Sequence, residues 1–155
     1  MPATAGTQDW IDRFAGLSRL EPRIRKVLTA RSQVIRVPAD TVIFGPGKSP
    51  DNLLLLLEGT VRVQQLAENG REVVLYRVTA GESCVLTTAC MLAYEEYTAE
   101  GVAETDIVAA AIPRAVFDEL VASSKAFRDF VFSAYSRRMT DLFHVIEDRA
   151  FRRID

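Results

Sequence analysis

Two thiols carry most of the reactive chemistry in this chain. Cys84 and Cys90 lie in the segment Ser83-Cys84-Val85-Leu86-Thr87-Thr88-Ala89-Cys90-Met91-Leu92. A cysteine near a helix N-terminus has a lowered pKa and reacts faster. Thr87 and Thr88 stand in N-cap-like places, which suggests that residues 84–90 form a turn opening a short helix. On that reading the two sulfurs approach within disulfide reach. They would then form a dithiol switch, oxidised to a disulfide or bridged by added sulfur atoms. The alternative is that both are small buried hydrophobes, the usual fate of a free cysteine.

Other chemistry is scarce. The one histidine, His144, leaves no raw material for a metal site of several imidazoles or for a serine triad beside a second histidine-dependent step. Glu82, Glu95, Glu96, Glu100 and Glu104 are spaced as the solvated face of a strand rather than as acid–base groups. The chain is therefore expected not to be an enzyme, and a metal-holding cupin is disfavoured by the same lack of histidines.

The elements that must position the thiols read mainly as strands. Ser32 to Val37, Thr41 to Phe44 and Asn52 to Leu57 are short apolar runs, separated by Pro38, by Gly45-Pro46-Gly47 and by the polar turn Lys48-Ser49-Pro50-Asp51. Asn52 to Leu57 is apolar on both faces and suits a strand buried between sheets. Val61 and Val63, then Val73 and Leu75, alternate with their neighbours as two half-buried strands, joined at Asn69-Gly70 by a predicted type I′ hairpin turn. Tyr97 to Glu104 and Asp106 to Ile112 add two more. About eight short strands without βαβ alternation predict an antiparallel jelly roll or sandwich.

Helices frame this body. Trp10, Ile11, Phe14 and Leu17, then Ile24, Val27 and Leu28 after Pro22, recur at helical spacing, and Pro113 opens another helix with Val116, Phe117, Leu120 and Val121 on one face. From Ser123 onward the chain predicts a helix of about 25 residues, in which Phe132, Tyr135, Met139, Leu142 and Ile146 keep a heptad seam. That spacing favours a parallel helix pair across a homodimer; the alternative is packing on the chain's own barrel. Phe127, Phe130, Phe143 and Val145 lie off the seam and are expected to cover the domain's pocket.

A chain of 155 residues with net charge −2 and pI near 5.5 fits one domain, residues 1–122, plus the helix 123–155. Nothing global draws it to nucleic acid or an anionic membrane. With no apolar run approaching about 20 residues and only two cysteines, a cytoplasmic location is expected, with no membrane partner.

Three stretches resemble the sensor domain of the CRP/FNR (catabolite-activator and fumarate-nitrate-reduction) class of bacterial transcription regulators, over about residues 10 to 155. They are Leu55-Leu56-Leu57-Glu58-Gly59-Thr60-Val61-Arg62-Val63, Leu75-Tyr76-Arg77-Val78-Thr79-Ala80-Gly81-Glu82, and Arg137-Arg138 through Ala150-Phe151. The resemblance implies a cyclic-nucleotide-binding-type jelly roll (a double-stranded β-helix) and dimerisation through the long helix. It also implies a helix-turn-helix DNA-binding domain after residue 155, absent from this chain, with DNA and RNA polymerase as partners of the whole regulator.

In that family the phosphate cassette begins Gly-Glu and ends in an arginine followed by Ser or Thr and Ala. Gly81-Glu82 is kept here, but the arginine's place before Thr98-Ala99 is Tyr97, preceded by Glu95 and Glu96. The two hydroxyl residues that meet the adenine fall on Leu142 and Phe143. The resemblance thus implies a pocket around Gly81, Glu82, Ser83, Thr87, Tyr97, Thr98, Leu142 and Phe143 that does not respond to cyclic AMP. A thiol sensor through Cys84 and Cys90 needs no cofactor.

The alternatives are a haem-based gas sensor and a stand-alone ligand-binding module. For haem, the family's histidine place is Thr87 and its cysteine place Val85, so Cys84, His144 and the N-terminal Pro2 would have to serve. The family's iron–sulfur route, which uses cysteines near the N-terminus, is closed because residues 1–30 contain none.

Overall fold

The computed structural model describes residues 10–154, with side chains described to Asp148. Pro2 lies outside the described residues. Among the described residues there are seven strands: β1 (Gln33–Val37), β2 (Val42–Phe44), β3 (Asn52–Glu58), β4 (Thr60–Leu66), β5 (Glu72–Thr79), β6 (Glu100–Ala103) and β7 (Ile107–Pro113). Four α-helices accompany them: α1 (Pro22–Arg31), α2 (Val85–Ala93), α3 (Arg114–Ser123) and α4 (Lys125–Ile154), after two 3₁₀ turns at Trp10–Arg13 and Ala15–Arg19. The strands form two antiparallel sheets, ordered β1-β7-β3 and β2-β6-β4-β5, the jelly roll expected from the sequence. No described helix is long and apolar enough to cross a membrane.

The three-stranded sheet has a core on each side. Leu53, Leu55 and Leu57 of β3 pack with Trp10, Ile24, Leu28, Phe117 and Phe127 of the helical layer. Leu56, with half-buried Leu54, faces Val61, Val63 and Val78 of the other sheet. The two-faced run at Asn52 to Leu57 is therefore buried between helices and a sheet, not between two sheets. Each such leucine, fully buried, contributes about 2 kcal/mol from apolar transfer alone.

Of the connections that cross between the sheets, β3–β4 turns a sharp corner. Gly59, at φ +90°, ends β3 and begins β4 with no room for a side chain: a Cβ there would run into the Asp106 carbonyl and stand 2.7 Å from Thr105 Oγ1. The Thr60 N–H donates to Thr105 Oγ1 at 3.0 Å, and the Ala39 N–H to Asp106 Oδ1 at 2.8 Å. The β3–β4 and β6–β7 crossings thus meet at Gly59 and Asp106.

Several expectations change. The Ala67–Arg71 turn is not type I′, because only Gly70 has positive φ (+84°) and Asn69 does not. The Gly70 N–H donates to the Ala67 carbonyl at 2.9 Å and the Ala67 N–H to the Arg71 carbonyl at 2.7 Å, a type I turn closed by a glycine bulge. Residues 97–99 lie outside β6, since the Tyr97 backbone bonds instead to Gly47 and Lys48, at 3.1 and 2.9 Å. On β5, Val73, Val74 and Leu75 are all exposed rather than alternating, because β5 is the sheet's edge strand. Finally, α4 begins inside the domain: Phe127, Phe130 and Val131 are buried with the helical layer, whereas Phe143 and Val145 are exposed, and Val145 borders only a groove between α4 and β5, outside the space between the sheets.

The corner supplies a stability test. Gly59→Ala combines left-handed backbone with a backbone collision and is expected to destabilise by about 2 to 4 kcal/mol. Gly70→Ala, with the same sign of φ but open space around it, should lose only about 1 kcal/mol. Urea titration of both variants measures the difference; equal losses would show that the corner is not tight.

Candidate functional site

Between the sheets lies a chamber of about 390 Å³. Its walls include Ile35, Val37, Ile43, Leu54, Leu56 and Val61, and three expected site residues reach it: Cys84, Thr87 and Tyr97. Ile35, Val37, Ile43 and Leu54 are only half-buried although apolar and inward-facing, so the chamber communicates with solvent. Its two charged linings, Lys48 and Asp51, are exposed and of opposite sign.

Tyr97 is fixed from three directions. Its backbone is held by the Gly47–Lys48 turn, its ring stacks on Phe44 with centroids 4.0 Å apart and planes 14° apart, and its hydroxyl meets Thr87 Oγ1 at 3.0 Å. Phe44 can lie flat against β6 only because Gly101 lacks a side chain; a Cβ there would collide with the Phe44 ring. Burial pushes the Tyr97 phenol well above its usual pKa, so it stays neutral.

A second path leads from the chamber to α4. The α2 helix starts at Val85, so Cys84 takes the N-cap position and Thr87 and Thr88 stand inside the first turn instead of at caps. Thr88 Oγ1 donates back to the Cys84 carbonyl at 3.1 Å, as β-hydroxyl side chains do inside helices. The unpaired Leu86 N–H is satisfied by Tyr76 of β5, whose hydroxyl accepts it at 3.1 Å and contacts Cys84 Sγ at 3.2 Å. Burial, and then Cys84, raise the Tyr76 pKa far above the usual tyrosine range. Over the Tyr76 ring, 5.7 Å from its centroid, stands the guanidinium of Arg138 on α4. Arg138 Nη2 also donates to the Arg77 carbonyl at 2.6 Å, and Nη1 lies 3.7 Å from Glu82 Oε2.

The remaining site residues are dispersed. Gly81, Glu82 and Ser83 line a separate cleft of about 370 Å³ against α4. Glu82 Oε1 already accepts the Thr79 N–H at 2.8 Å and the Thr79 hydroxyl at 3.0 Å. Thr98 is exposed; Leu142 lines a groove with β5, and Phe143 and His144 are exposed on α4. The pocket expected as one site is thus divided among a chamber, a cleft and a helix face. Among the described residues, no three or more His, Cys, Asp or Glu groups are placed to hold a metal ion.

Both cysteines are free and buried. Six helical steps separate them by about 9 Å of rise, beyond the roughly 7 Å between Cα atoms that a disulfide bridges. The expected approach of the two sulfurs fails because α2 starts at Val85 and keeps them on separate turns. Cys90 donates to the Glu96 carbonyl at 3.5 Å, and burial, then the Glu95 charge, raise its pKa away from the reactive thiolate range.

The jelly roll, its chamber and the long helix that follows define a β-roll whose interior is open to a small molecule. The sequence model of the cyclic nucleotide-binding domain matches residues 34–124, and the chain belongs to that family. No curated protein matches the chain. Among solved structures it is similar to a transcriptional regulator of the CRP/FNR family from Eubacterium rectale, with TM-score 0.77 and 23% identity over 88% of this chain and 63% of that one. The Thermus thermophilus catabolite activator protein gives 0.69 and 21% over 88% and 63%. The sensor domain of the regulator DNR from Pseudomonas aeruginosa gives 0.71 and 16% over 95% of each chain. The chain spans less than two thirds of the first two, and likeness at these identities establishes the fold.

Peroxide treatment of the native protein is expected to leave the tryptic peptide carrying both cysteines without the loss of two hydrogens that a Cys84–Cys90 bond produces. Appearance of that species with the fold intact would show that α2 opens readily.

Proposed function

We propose that this chain is the effector-sensing and dimerisation domain of a CRP/FNR-type transcription regulator that does not answer to cyclic AMP. The observation that carries the reading is Tyr97. Where the resembling cassette places an arginine for phosphate, a neutral, buried phenol is stacked on Phe44 and bonded to Thr87. Glu82 is engaged by Thr79, and Leu142 and Phe143 offer no hydroxyl to a base.

An occupant of the chamber acts on α2, whose N-terminus is tied through Tyr76 to Arg138, and so on the orientation of α4. Chemistry at Cys84 alone enters the same path. A Cys84–Cys90 disulfide would first require α2 to unwind, and haem would require the exposed His144 to turn inward. On α4, Phe132 and Ile146 are 47% and 60% exposed while Tyr135, Met139 and Leu142 are half-buried, so an apolar stripe is left for the same stripe of a second copy. DNA-reading domains beyond residue 155, and polymerase contacts through them, belong to the whole regulator and complete the proposal.

Sedimentation velocity tests it. At micromolar concentration the protein is expected to run as a dimer, and Ile146→Asp, on an exposed position whose change leaves the monomer's fold intact, as a monomer. A wild-type protein that stays monomeric at high concentration would overturn the dimeric sensor.

A further inference from the structure

The chamber has enough definition to specify what it admits. We infer that it binds an uncharged, largely apolar aromatic molecule of about two rings, carrying one hydroxyl or carbonyl directed at the Thr87–Tyr97 pair. This rests on the effector-sensing reading of the same site and names the ligand class that reading leaves open.

Size sets the first limit. An apolar cavity of about 150 Å³ accommodates benzene, so about 390 Å³ holds a two-ring system with space at the opening. Charge sets the second. The interior polar groups, Thr41, Thr87, Tyr97 and Cys84, are all neutral side chains, and the only lining cation, Lys48, is exposed opposite Asp51. An unpaired phosphate or carboxylate inside would lose its hydration with no partner in exchange.

Aromatic character is favoured by Phe44 and Tyr97, since ring contacts gain beyond their buried area in both edge and stacked geometry. The polar handle follows from the hydroxyl pair. In the Thr87–Tyr97 bond one oxygen donates and the other accepts, so the pair retains one donor and spare lone pairs. Both residues are buried, at 3% and 6% exposure, and a ligand oxygen is the natural further partner.

Calorimetric titration with 2-naphthol tests the class, with naphthalene as the analogue lacking the hydroxyl and cyclic AMP as the anionic competitor. The wild-type protein should bind one 2-naphthol per chain, undisturbed by cyclic AMP. Leu54→Trp, which fills the chamber, should weaken binding at least about tenfold, and Ile43→Phe on the half-buried wall is the second filling variant if the first does not fold. Thr87→Val should weaken 2-naphthol about fivefold, the worth of one neutral hydrogen bond, and leave naphthalene unchanged. Equal binding to a folded filled variant, displacement by cyclic AMP, or equal loss of both probes in Thr87→Val would each overturn the inference. A folded dimer that binds no 2-naphthol would overturn it while leaving the sensor reading intact. A monomer that binds as described would do the reverse.

Discussion

The interaction on which the structure depends is the pairing of β3 with β7. Leu54, Leu55 and Leu56 stand opposite Ala111, Ala110 and Ala109. A sheet with one buried face takes its register from the alternation of apolar and polar residues. Here both faces are apolar, so alternation alone would permit a slip. Volume supplies what polarity does not: these three leucines meet three alanines, with the larger pair Leu53 and Ile112 at the end of the run, and a shift that set the larger residue among the central leucines would overpack both cores. The Gly59 corner then pins the end of the ladder, because the Asp106 carbonyl occupies the place of a side chain. One wall so fixed serves two interiors, and the helical layer carrying the start of α4 is rigidly referred to the chamber.

The second constraint is the Tyr76 hydroxyl. It answers the orphan donor at the start of α2 and touches the only thiol in the chamber wall, while its ring lies under a cation from α4. None of these contacts is strong alone: a neutral hydrogen bond nets about 1 kcal/mol and an exposed cation–π contact about 0.5 to 1 kcal/mol. Their sum is of the order at which coupling between sites usually operates, about 1 to 3 kcal/mol. A link of this size, under the proposed sensing role, would tip a balance between arrangements of α4 rather than lock one.

Much of this was legible in residue order. Pro22 and Pro113 mark the helix starts, the doubly apolar Leu53 to Leu57 marks a strand with two cores, and the periodicity after Ser123 marks the long helix α4. The misses share a cause: they depend on partners distant in sequence. Phe44 and Tyr97 meet only because Gly101 opens a seat on β6, and the signal available was a glycine inside an apolar strand, which often marks close approach. The α2 N-terminus is held by Tyr76 from another element, so the local hydroxyls of Thr87 and Thr88 point to a helix start later than Val85 and to sulfurs nearer than they stand. Val73 and Leu75 look half-buried by alternation, yet an edge strand has no second neighbour to bury them.

Membership of a nucleotide-binding family constrains architecture more than chemistry. Sites change on a retained fold when the groups that meet the ligand change, and here the change is electrostatic. A buried anion is tolerable where a guanidinium and several donors replace its water, and otherwise the desolvation penalty dominates. Arg138 cannot serve that role without leaving the Arg77 carbonyl, Glu82 and the Tyr76 ring together. Tyr97 cannot serve it as a phenol already bonded to Thr87 and kept neutral by burial. With no unengaged guanidinium on its walls, the chamber offers a phosphate nothing in exchange for its lost water, and the proposed preference for neutral molecules rests on that imbalance together with the apolar walls and the single hydroxyl pair.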